Sequence, residues 1–543
     1  MKKLITVLFL VFLLFSAHAG NTVVVVQRVY FTGNNIYNFW QNTGIFNQNT
    51  STANSPGLIW TYDSSYYVFT SGLSMAGYVN NQFAMFACSY KGELSPGYYQ
   101  SGNYATNPDF RIYTVTGTDN PNSNPDYANW YKMIPFGAPY IDINNNCSYD
   151  DGIDKPGVKD ASQTLFVSLT DGDLTQHSVG EGFGGGITIP LFKAEIHLTV
   201  WVYNISPVLS DIQYMKYQII NKSDTRWDSV YITMMADPDI KALTNDYLGC
   251  DSLRNAGFAY SADSLTTSGS YGIRLLKGPV NKLTGDTLRM TAFNWMRYGN
   301  YPCEWEPEGL PNYAYNYMKG LKGDGSPILD PTYTPPRRTK FIFPGDPELN
   351  TGWTPKKGWI HNCNGVDTGA VTPVYPGDVK FLLSTGAGNF SFAPGDTQNL
   401  YYSQMIAIGN TNLNSVTHLK SLSDKADIIF RSGIKDILEK DCVYPYLPDD
   451  FSLSDNYPNP FNAVTRIRYS LPRSSNIKLT VYDMLGREVA VLVNGTQGAG
   501  YYEKVFDGSA FASGIYFYRL EVIDVSVSSA VHYSRVKKLA LVK

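Results

Sequence analysis

The fold is decided by three neighbouring segments: Ile187–Asn204 (ITIPLFKAEIHLTVWVYN), Ile212–Asn221 (IQYMKYQIIN) and Ser229–Met235 (SVYITMM). Each is rich in β-branched and aromatic residues, which favour strands. Turns rich in Pro, Ser and Asp separate the three segments. The pattern predicts a block of three strands.

A second region further along the chain has the same character. The turn Ala393–Gln398 (APGDTQ) leads into the alternating segment Asn399–Ile408. Because a turn of this kind followed by a long strand is common in Ig-like sandwiches, we expect both regions to form one sandwich. A long insertion, at about residues 237–390, would then separate them. The clearest helical spacing of apolar residues covers Asn414–Phe430.

Composition excludes two classes of protein. The 543 residues include 43 Lys and Arg against 47 Asp and Glu, a net charge of −4 without a basic stripe. A nucleic-acid partner is therefore not expected, since such binding depends on clustered positive charge. Hydrophobic residues make up 43% of the chain, with 41 Tyr and 27 Phe, which is enough to bury a core and argues against disorder.

The N-terminus has the pattern of a secretory signal peptide. Lys2 and Lys3 precede the apolar run Leu4–Phe15, and Ser16–Ala19 (SAHA) supplies small residues before a cleavage site. We expect cleavage after Ala19. The alternative, a retained anchor, needs about 20 apolar residues, and this run is shorter. The mature chain is expected to lack a transmembrane segment.

Export permits disulfide bonds. The chain has six cysteines and no CxxC pair that would indicate zinc or redox chemistry. Their spacing favours no particular pairing. We expect one or two disulfides together with buried free thiols.

The C-terminal region begins after a proline-rich linker, Tyr444–Asp450 (YPYLPDD). Beyond it, apolar residues alternate with period two in short segments separated by Pro or Gly, as at Thr465, Ile467, Tyr469 and Leu471. This pattern predicts a small β-sandwich. An Ig-like module with a purely stabilising role fits the periodicity equally well.

Four blocks in this region distinguish the alternatives. They are Asn456–Asn462 (NYPNPFN), Leu479–Val489 (LTVYDMLGREV), Ser513–Leu520 (SGIYFYRL) and Lys537–Lys543 (KKLALVK). In this order they resemble the type A C-terminal sorting domain of the type IX (Por) secretion system. The stretch Val525–Tyr533 departs from that family by being longer and richer in serine.

The resemblance implies passage through the periplasm and across an outer membrane, with the type IX machinery and its sortase-like peptidase as partners. The product would be extracellular or attached to the outer-membrane surface. The residues that we expect to carry the sorting signal are Asp483, Gly486, Gly514, Tyr516, Lys538 and Lys543. Gly486 is expected at positive φ in a tight turn, and Gly514 at a close backbone approach. By analogy, the last strand could add to a receptor's sheet edge.

The predicted fold class is all-β, with tandem Ig-like sandwiches, long loops and one or two short helices. The expected segments are a signal peptide (1–19), an N-terminal β-rich domain (20–185), a β-sandwich (186–443), a linker (444–450) and the sorting domain (451–543). Phrases of the central region, such as Asn245–Asp251 (NDYLGCD) and Phe343–Pro347 (FPGDP), also resemble ectodomains of uncharacterised secreted proteins that carry the same tail. That resemblance implies a shared scaffold and no specific chemistry.

The strongest candidate for a metal site is the loop 142–154 (DINNNCSYDDGID). Its oxygen side chains recur as in calcium loops, which supply six to eight oxygens from a short flexible segment. The expected ligands are Asp142, Asn144, Asn146, Asp150 and Asp154. The alternative is a turn in which Asp and Asn side chains bond to their own backbone.

A second group of acids follows the strand that ends at Met235. Its members are Asp237, Asp239, Asp246 and Asp251. Acids at strand ends can bind calcium, and they are also ordinary turn formers.

Known catalytic motifs are incomplete, so we assign no catalytic residue. The segment Gly72–Ala76 (GLSMA) lacks the final Gly of a nucleophile elbow. Gly180–Gly185 (GEGFGG) matches GxGxxG but precedes a predicted strand rather than a helix. The histidines of the mature chain show no HExxH or HxH spacing.

The insertion is crowded with aromatic residues. They are Trp295, Trp305, Tyr313, Tyr315, Tyr317, Trp353 and Trp359. Exposed rings could stack on sugars or on a partner protein, whereas buried rings would pack the insertion onto its own sandwich.

The function expected is that of a non-enzymatic surface or secreted protein with a structural or adhesive role. Its expected partner is a surface glycan or protein, and calcium is the cofactor that loop 142–154 could hold. The alternative is a carbohydrate-active protein, either a glycan-binding module or a glycoside hydrolase.

Overall fold

A computed structural model describes residues 26–434 and 451–543, apart from 50–54, 178–182, 184–185, 187–189, 264–267, 298–302, 308, 365–368, 473–474, 498–499 and 524–530. Strand accounts for 48% of the structure and helix for 10%, which confirms the all-β class. The predicted signal peptide, its cleavage site at Ala19 and the linker 444–450 lie outside the described residues.

Residues 26–434, called the body below, contain two nine-stranded antiparallel sheets. The strands of the first sheet are Arg28–Phe31, Ile36–Gln41, Ile45–Phe46, Leu58–Trp60, Ser65–Val79, Gln82–Phe86, Trp227–Pro238, Ala292–Arg297 and Val379–Gly386. Those of the second are Ser95–Pro96, Tyr113–Thr116, Gln163–Thr170, Ala194–Val202, Ile212–Asn221, Asp246–Asp251, Ala256–Ser261, Ser270–Lys277 and Thr397–Ala407.

Two boundaries expected from the sequence differ from this topology. Strands from both sides of residue 185 share both sheets and one core, so the division into residues 20–185 and 186–443 cuts through a single unit. The predicted insertion at 237–390 also contains five strands of the two sheets, and the inserted segment is shorter, at about 298–378. Strands such as Ala256–Ser261 and Ala292–Arg297 are buried at every residue, so they lack the alternation that would have revealed them.

Continuous burial has a structural cause. Inward-facing residues of both sheets form the central core, to which Ile232 and Met234 belong, while their neighbours Tyr231 and Met235 face outward. The short helix Pro311–Met318 covers these outward residues of the first sheet. The helix Asn412–Ile429 covers the outer face of the second sheet. Each sheet is therefore packed on both faces.

The remaining elements of the body are short. Two-stranded sheets pair Gln48–Asn49 with Ser55–Pro56, Tyr98–Gln100 with Asn103–Ala105, Tyr140–Ile141 with Lys155–Pro156, Val280–Asn281 with Asp286–Thr287, Ile328–Asp330 with Arg337–Thr339, and Trp359–Ile360 with Val371–Thr372. Further helical turns are Pro125–Ala128, Trp130–Lys132, Ile134–Phe136, Leu209–Asp211, Pro355–Lys357 and Phe430–Ile434.

The C-terminal region is a separate seven-stranded arrangement with its own core. One sheet contains Ser452–Leu453, Val464–Leu471 and Gly500–Asp507, and the other contains Ser475–Tyr482, Glu488–Gln497, Gly514–Ile523 and Val531–Leu541. Thr465, Ile467, Tyr469 and Leu471 are all buried, as their alternation predicts.

The cysteines behave as expected. Cys303 and Cys363 form a disulfide with its sulfurs 2.05 Å apart, and Cys147 is also disulfide-bonded. Cys88 and Cys250 are buried free thiols. Cys442 lies outside the described residues.

Candidate functional site

The turn that carries Asp483 is fixed by that residue's own oxygens. The carboxylate of Asp483 accepts hydrogen bonds from the backbone N–H of Leu485 (2.9 Å) and of Arg487 (3.0 Å). The backbone N–H of Arg487, together with its guanidinium, holds the pKa of Asp483 below its usual range. Gly486 has φ of +77°, the positive value expected for it, which other residues adopt only with strain.

The first and last blocks of the sorting region lie against each other. The side chain of Asn459 donates to the Lys538 carbonyl (3.1 Å) and accepts from the backbone N–H of Ala540 (2.9 Å). The backbone of Phe461 continues this pairing with Ala540 and Val542, at 2.9 Å in each case. The last strand, Val531–Leu541, lies at the edge of its sheet, so the NYPNPFN block pairs with the end of an edge strand.

The other sorting residues lie at or near that sheet. The hydroxyl of Tyr516 donates to the Ala512 carbonyl at 2.9 Å, and Lys538 is exposed. The backbone N–H of Lys543 donates to the Ser513 hydroxyl at 3.0 Å. A Cβ at Gly514 would meet no atom within 4 Å, so the expected close backbone approach is wrong.

The predicted calcium loop brings its five residues together. Asp142 and Asp154 accept hydrogen bonds from backbone N–H groups of the loop at 2.8–3.2 Å. One oxygen of Asp150 accepts from the amides of Asn144 (2.7 Å) and Asn146 (2.6 Å). The arrangement is compatible with either alternative weighed from the sequence, so calcium in this loop stays a prediction.

A second acidic group forms at the end of strand Trp227–Pro238, where it includes residues from distant segments. The hydroxyl of Tyr90 donates to Asp237 (2.6 Å) and lies 3.4 Å from Glu306. The Lys380 ammonium lies 2.7 Å from Glu306 and 4.0 Å from Asp237, and it also contacts Asp378. Burial alone would lower the pKa of Lys380, but these three carboxylates raise it.

Two further acids complete this group, which we call the Lys380 cluster: Lys380, Asp237, Asp239, Asp246, Glu306 and Asp378. Burial raises the pKa of Asp239 to about 7, with Asp378 adding to the effect. Burial also raises the pKa of Asp237 and of Asp246, and each keeps a buried carboxylate oxygen without a hydrogen-bond partner. The fourth acid grouped with them from the sequence, Asp251, lies elsewhere and pairs with Arg254 at 2.7 Å.

Glu306, Asp378 and Lys380 were missed because they come from the insertion and the strand after it. One signal could have revealed two of them. The segment Pro376–Lys380 (PGDVK) begins strand Val379–Gly386 with the same Pro-Gly-Asp turn that precedes Thr397–Ala407. A second such turn marks a second long strand, whose first residues reach this cluster.

Residues of the incomplete catalytic motifs have structural partners. Ser74, in the GLSMA segment, lies within a strand and accepts a hydrogen bond from the backbone N–H of Cys88 at 3.0 Å. His177 and His197 are buried, and their ring nitrogens lie 3.0 Å from the Asp171 carbonyl and from Glu195, respectively. The GEGFGG segment lies almost entirely outside the described residues.

The aromatic insertion faces inward. Trp295, Trp353 and Trp359 are at most 2% exposed, and the rings of Trp353 and Trp359 stack at 5.5 Å. The indole N–H of Trp359 donates a hydrogen bond to Glu304 (2.7 Å), and Glu304 also forms an ion pair with Lys322 at 2.5 Å. Tyr315 and Tyr317 are buried as well, whereas Trp305 and Tyr313 are half-buried. These contacts confirm that the rings pack the insertion onto its own sandwich.

Only one group of three potential metal ligands lies close together among the described residues: Cys303, Asp324 and Cys363. Both of its sulfurs are already joined in the disulfide. Among the described residues, no helix is both long and apolar enough to cross a membrane.

Comparisons with known proteins identify the C-terminal region. Residues 455–531 match the family described as the secretion system C-terminal sorting domain. None of the curated proteins compared with the chain matches it.

Three solved structures share only weak likeness with the chain, and their TM-scores are too low to carry an argument. A polysaccharide lyase is 8% identical (64% of this chain, 34% of that chain, TM-score 0.18). Dimeric latent PorU from Porphyromonas gingivalis is 11% identical (70% and 31%, TM-score 0.15). The adhesin domain of Epf from Streptococcus pyogenes is 7% identical (63% and 89%, TM-score 0.13). The chain spans about a third of the length of the first two.

The family match covers the blocks whose contacts are described above. It supports interaction of this region with the type IX secretion machinery. The chain carries a type IX C-terminal sorting domain and is a protein exported to the cell surface or the extracellular space.

Proposed function

We propose that the body is a non-enzymatic adhesive or structural unit that the sorting domain delivers to the cell surface. The observation that carries this proposal is the closed construction of the body. Both sheets are packed on both faces, and the insertion is braced internally by a disulfide and by the buried pair of Glu304 with Lys322. A body fixed in this way suits lasting display outside the cell.

Calcium would add to this rigidity. Asp142, Asn144, Asn146, Asp150 and Asp154 converge within one exposed loop. Extracellular modules bind calcium through such oxygen-rich loops, with dissociation constants of about 0.1–1 mM. We assign the ion a structural role, because the loop connects the paired strands Tyr140–Ile141 and Lys155–Pro156 of the body.

One observation favours glycoside hydrolysis as a second candidate function. Asp237 and Glu306 both lie within hydrogen-bond distance of the Tyr90 hydroxyl, and glycosidases use two neighbouring carboxyl groups. Substrate must reach both groups, however, and Asp237 is only 4% exposed. The cluster is thus better suited to holding the fold together than to turnover.

Two measurements on purified residues 20–443 test the proposal. Beads coated with this protein should adhere saturably to intact bacterial or host surfaces, and heat-denatured protein should not adhere. Incubation with glycan, ester and peptide panels should give no turnover. Saturable hydrolysis that Glu306→Gln abolishes would replace the adhesive role with the hydrolase.

A further inference from the structure

A groove of about 440 Å³ opens on the body at a place that no sequence pattern marked. One wall is the end of strand Leu58–Trp60 with the turn that follows, and another is the segment 207–211. The third wall is the helix Asn412–Ile429, which contributes His418, Leu422 and Lys425. The volume lies within the range of about 300–1,000 Å³ usual for small-ligand sites.

The first feature of the groove is an aromatic platform. The rings of Trp60 and Tyr62 stack with their centroids 4.8 Å apart and their planes 26° apart. Trp60 is 2% exposed, whereas Tyr62 is 70% exposed. The indole of Trp60 donates to Asp211 at 2.8 Å and meets the Tyr67 ring edge-on at 5.8 Å. An anchored indole thus supports a tyrosine ring that is open to solvent.

The second feature is a fixed acceptor beside this platform. One oxygen of Asp211 accepts both the Trp60 indole and the side-chain amide of Asn35, at 2.8 and 3.0 Å. Among the described residues the other oxygen has no hydrogen-bond partner. Burial raises the pKa of Asp211 while these two hydrogen bonds lower it. One oxygen of the Asp211 carboxylate is therefore held in place by hydrogen bonds, and the other can accept a hydrogen bond from a ligand.

The helix supplies complementary groups on the opposite wall. The Nδ1 atom of His418 lies 2.7 Å from the Ile408 carbonyl, so this nitrogen is the donor of that hydrogen bond. Lys425 is exposed and forms no ion pair among the described residues. Between the walls lies Ala407, beside the apolar side chain of Leu422.

The ligand class follows from this combination. One carboxylate and one ammonium leave the groove with little net charge, which disfavours strongly anionic or cationic ligands. An acceptor at Asp211 and a donor at Lys425, beside an apolar floor and an open aromatic ring, suit a molecule with hydroxyl groups at its rim and C–H groups on its face. A pyranose ring has this character, and aromatic side chains with an apolar face and a polar edge suit it.

We propose that this groove binds a neutral saccharide, with one sugar ring stacked on Tyr62 and its hydroxyls bonded to Asp211 and to Lys425. This inference rests on the adhesive role proposed above and names the ligand class behind it. Tyr62 provides most of the exposed contact, and Asp211 orients the sugar.

Titration calorimetry on the mature chain, residues 20–543, tests the proposal. The probes are uncharged hexasaccharides of glucose, mannose, galactose and xylose, with heparin and polyglutamate as charged comparisons. At least one neutral probe should bind, and Tyr62→Ala should weaken it about tenfold or more without changing the melting temperature. Asp211→Asn should weaken it too. The matched control is Tyr375→Ala, since Tyr375 is also 70% exposed but lies outside the groove.

Three results would overturn the inference: no neutral probe bound at about 10 mM, equal affinity in Tyr62→Ala and wild-type protein, or Tyr62-dependent binding of the charged polymers alone. The bead assay separates this inference from the proposed function. If adhesion survives Tyr62→Ala, the groove is not the adhesive site, but the adhesive role stands. If the protein binds glycan without adhering to cells, the groove is a saccharide site, but the adhesive role is wrong.

Discussion

Acidic side chains in the sorting domain and in the body are stabilised in opposite ways. In the sorting domain, Glu503 is exposed, and hydrogen bonds from Arg466 and Arg468 on the neighbouring strand lower its pKa. In the body, three carboxylates contact Lys380, whose side chain is 2% exposed, and burial raises the pKa of Asp237 and Asp246.

The difference shows where sequence reveals function and where it does not. A sorting signal must be accessible to the secretion machinery, and its residues lie in short contiguous blocks of sequence. The Lys380 cluster instead joins segments near residues 237, 246, 306 and 380, and its charges matter because they are removed from water. One region can be interpreted from motifs, and the other only from its packing.

The largest effect expected is loss of display when the sorting domain is removed. The body has its own cores, distinct from that of residues 451–543, so a chain that ends at residue 450 should fold. It should accumulate in the periplasm, because the sorting domain alone carries the address. Cell fractionation and surface proteolysis measure this outcome.

Two controls sharpen that comparison. Periplasmic chain that resists protease shows that the body folds without the sorting domain, whereas degradation would mean that the two regions depend on each other. Normal surface display of the truncated chain would contradict the assignment of the sorting signal.

Substitution of the buried lysine is expected to have the next largest effect. Lys380→Met removes the one cation of the Lys380 cluster and leaves its carboxylates unpaired, which should lower the free energy of unfolding by about 3–5 kcal/mol. Urea unfolding followed by tryptophan fluorescence measures this, since all nine tryptophans lie in the body. The exposed Lys356→Met is the control and should change little. Equal urea midpoints for the two variants would contradict this prediction. They would show that the acids of the Lys380 cluster are protonated and need no cation.

Part of this architecture could be predicted from the sequence. The strands whose residues alternate, as in Val464–Leu471, and the long helix Asn412–Ile429, whose apolar residues recur at helical spacing, were found. The sorting region was found because its blocks are contiguous and in order. The boundary at residue 185 was wrong because sheets packed on both faces lose alternation, so nothing local indicates which strands are partners.

The sites differ in the same way. Loop 142–154 is one segment, and its convergence could be expected from spacing alone. The groove joins Tyr62, Asp211 and His418 from three distant parts of the chain, and each of them looks ordinary in sequence. The burial of Asp237 and Glu304 and the identity of their partners depend on the whole fold. No local sequence pattern therefore indicates them.

Stability should depend on pH in opposite directions in the two regions. Burial raises the pKa of Asp239 to about 7, against about 3.9 in an unfolded chain. The folded body therefore binds more protons between about pH 4 and 7, and its free energy of unfolding should fall as pH rises through this window. Asp239→Asn should remove about 2–4 kcal/mol of that change, at 1.4 kcal/mol per pKa unit.

The sorting domain provides the contrast. The pKa values of Asp483, Glu503 and Asp507 are lowered by hydrogen bonds, so stability from these groups is present at neutral pH and is lost as pH falls below about 4. Urea titrations of the body by tryptophan fluorescence and of purified residues 451–543 by circular dichroism compare the two. Slopes of the same sign would contradict the opposition between the regions.

Calcium should give the smallest effect, because loop 142–154 lies in the body but most of its residues are exposed. Asp150 now receives two side-chain amides, and rotation of those amides would turn their oxygens towards a cation instead. At about 1 mM calcium and a dissociation constant of about 0.1 mM, binding adds roughly 1.4 kcal/mol to the free energy of unfolding.

The melting temperature of the body should rise by a few degrees when calcium is added, and a chelator should bring it back to its original value. Asp142→Ala should abolish the rise, and the exposed Asp286→Ala should preserve it. An unchanged melting curve up to about 10 mM calcium would mean that the backbone N–H groups already satisfy this loop, as Arg487 satisfies Asp483.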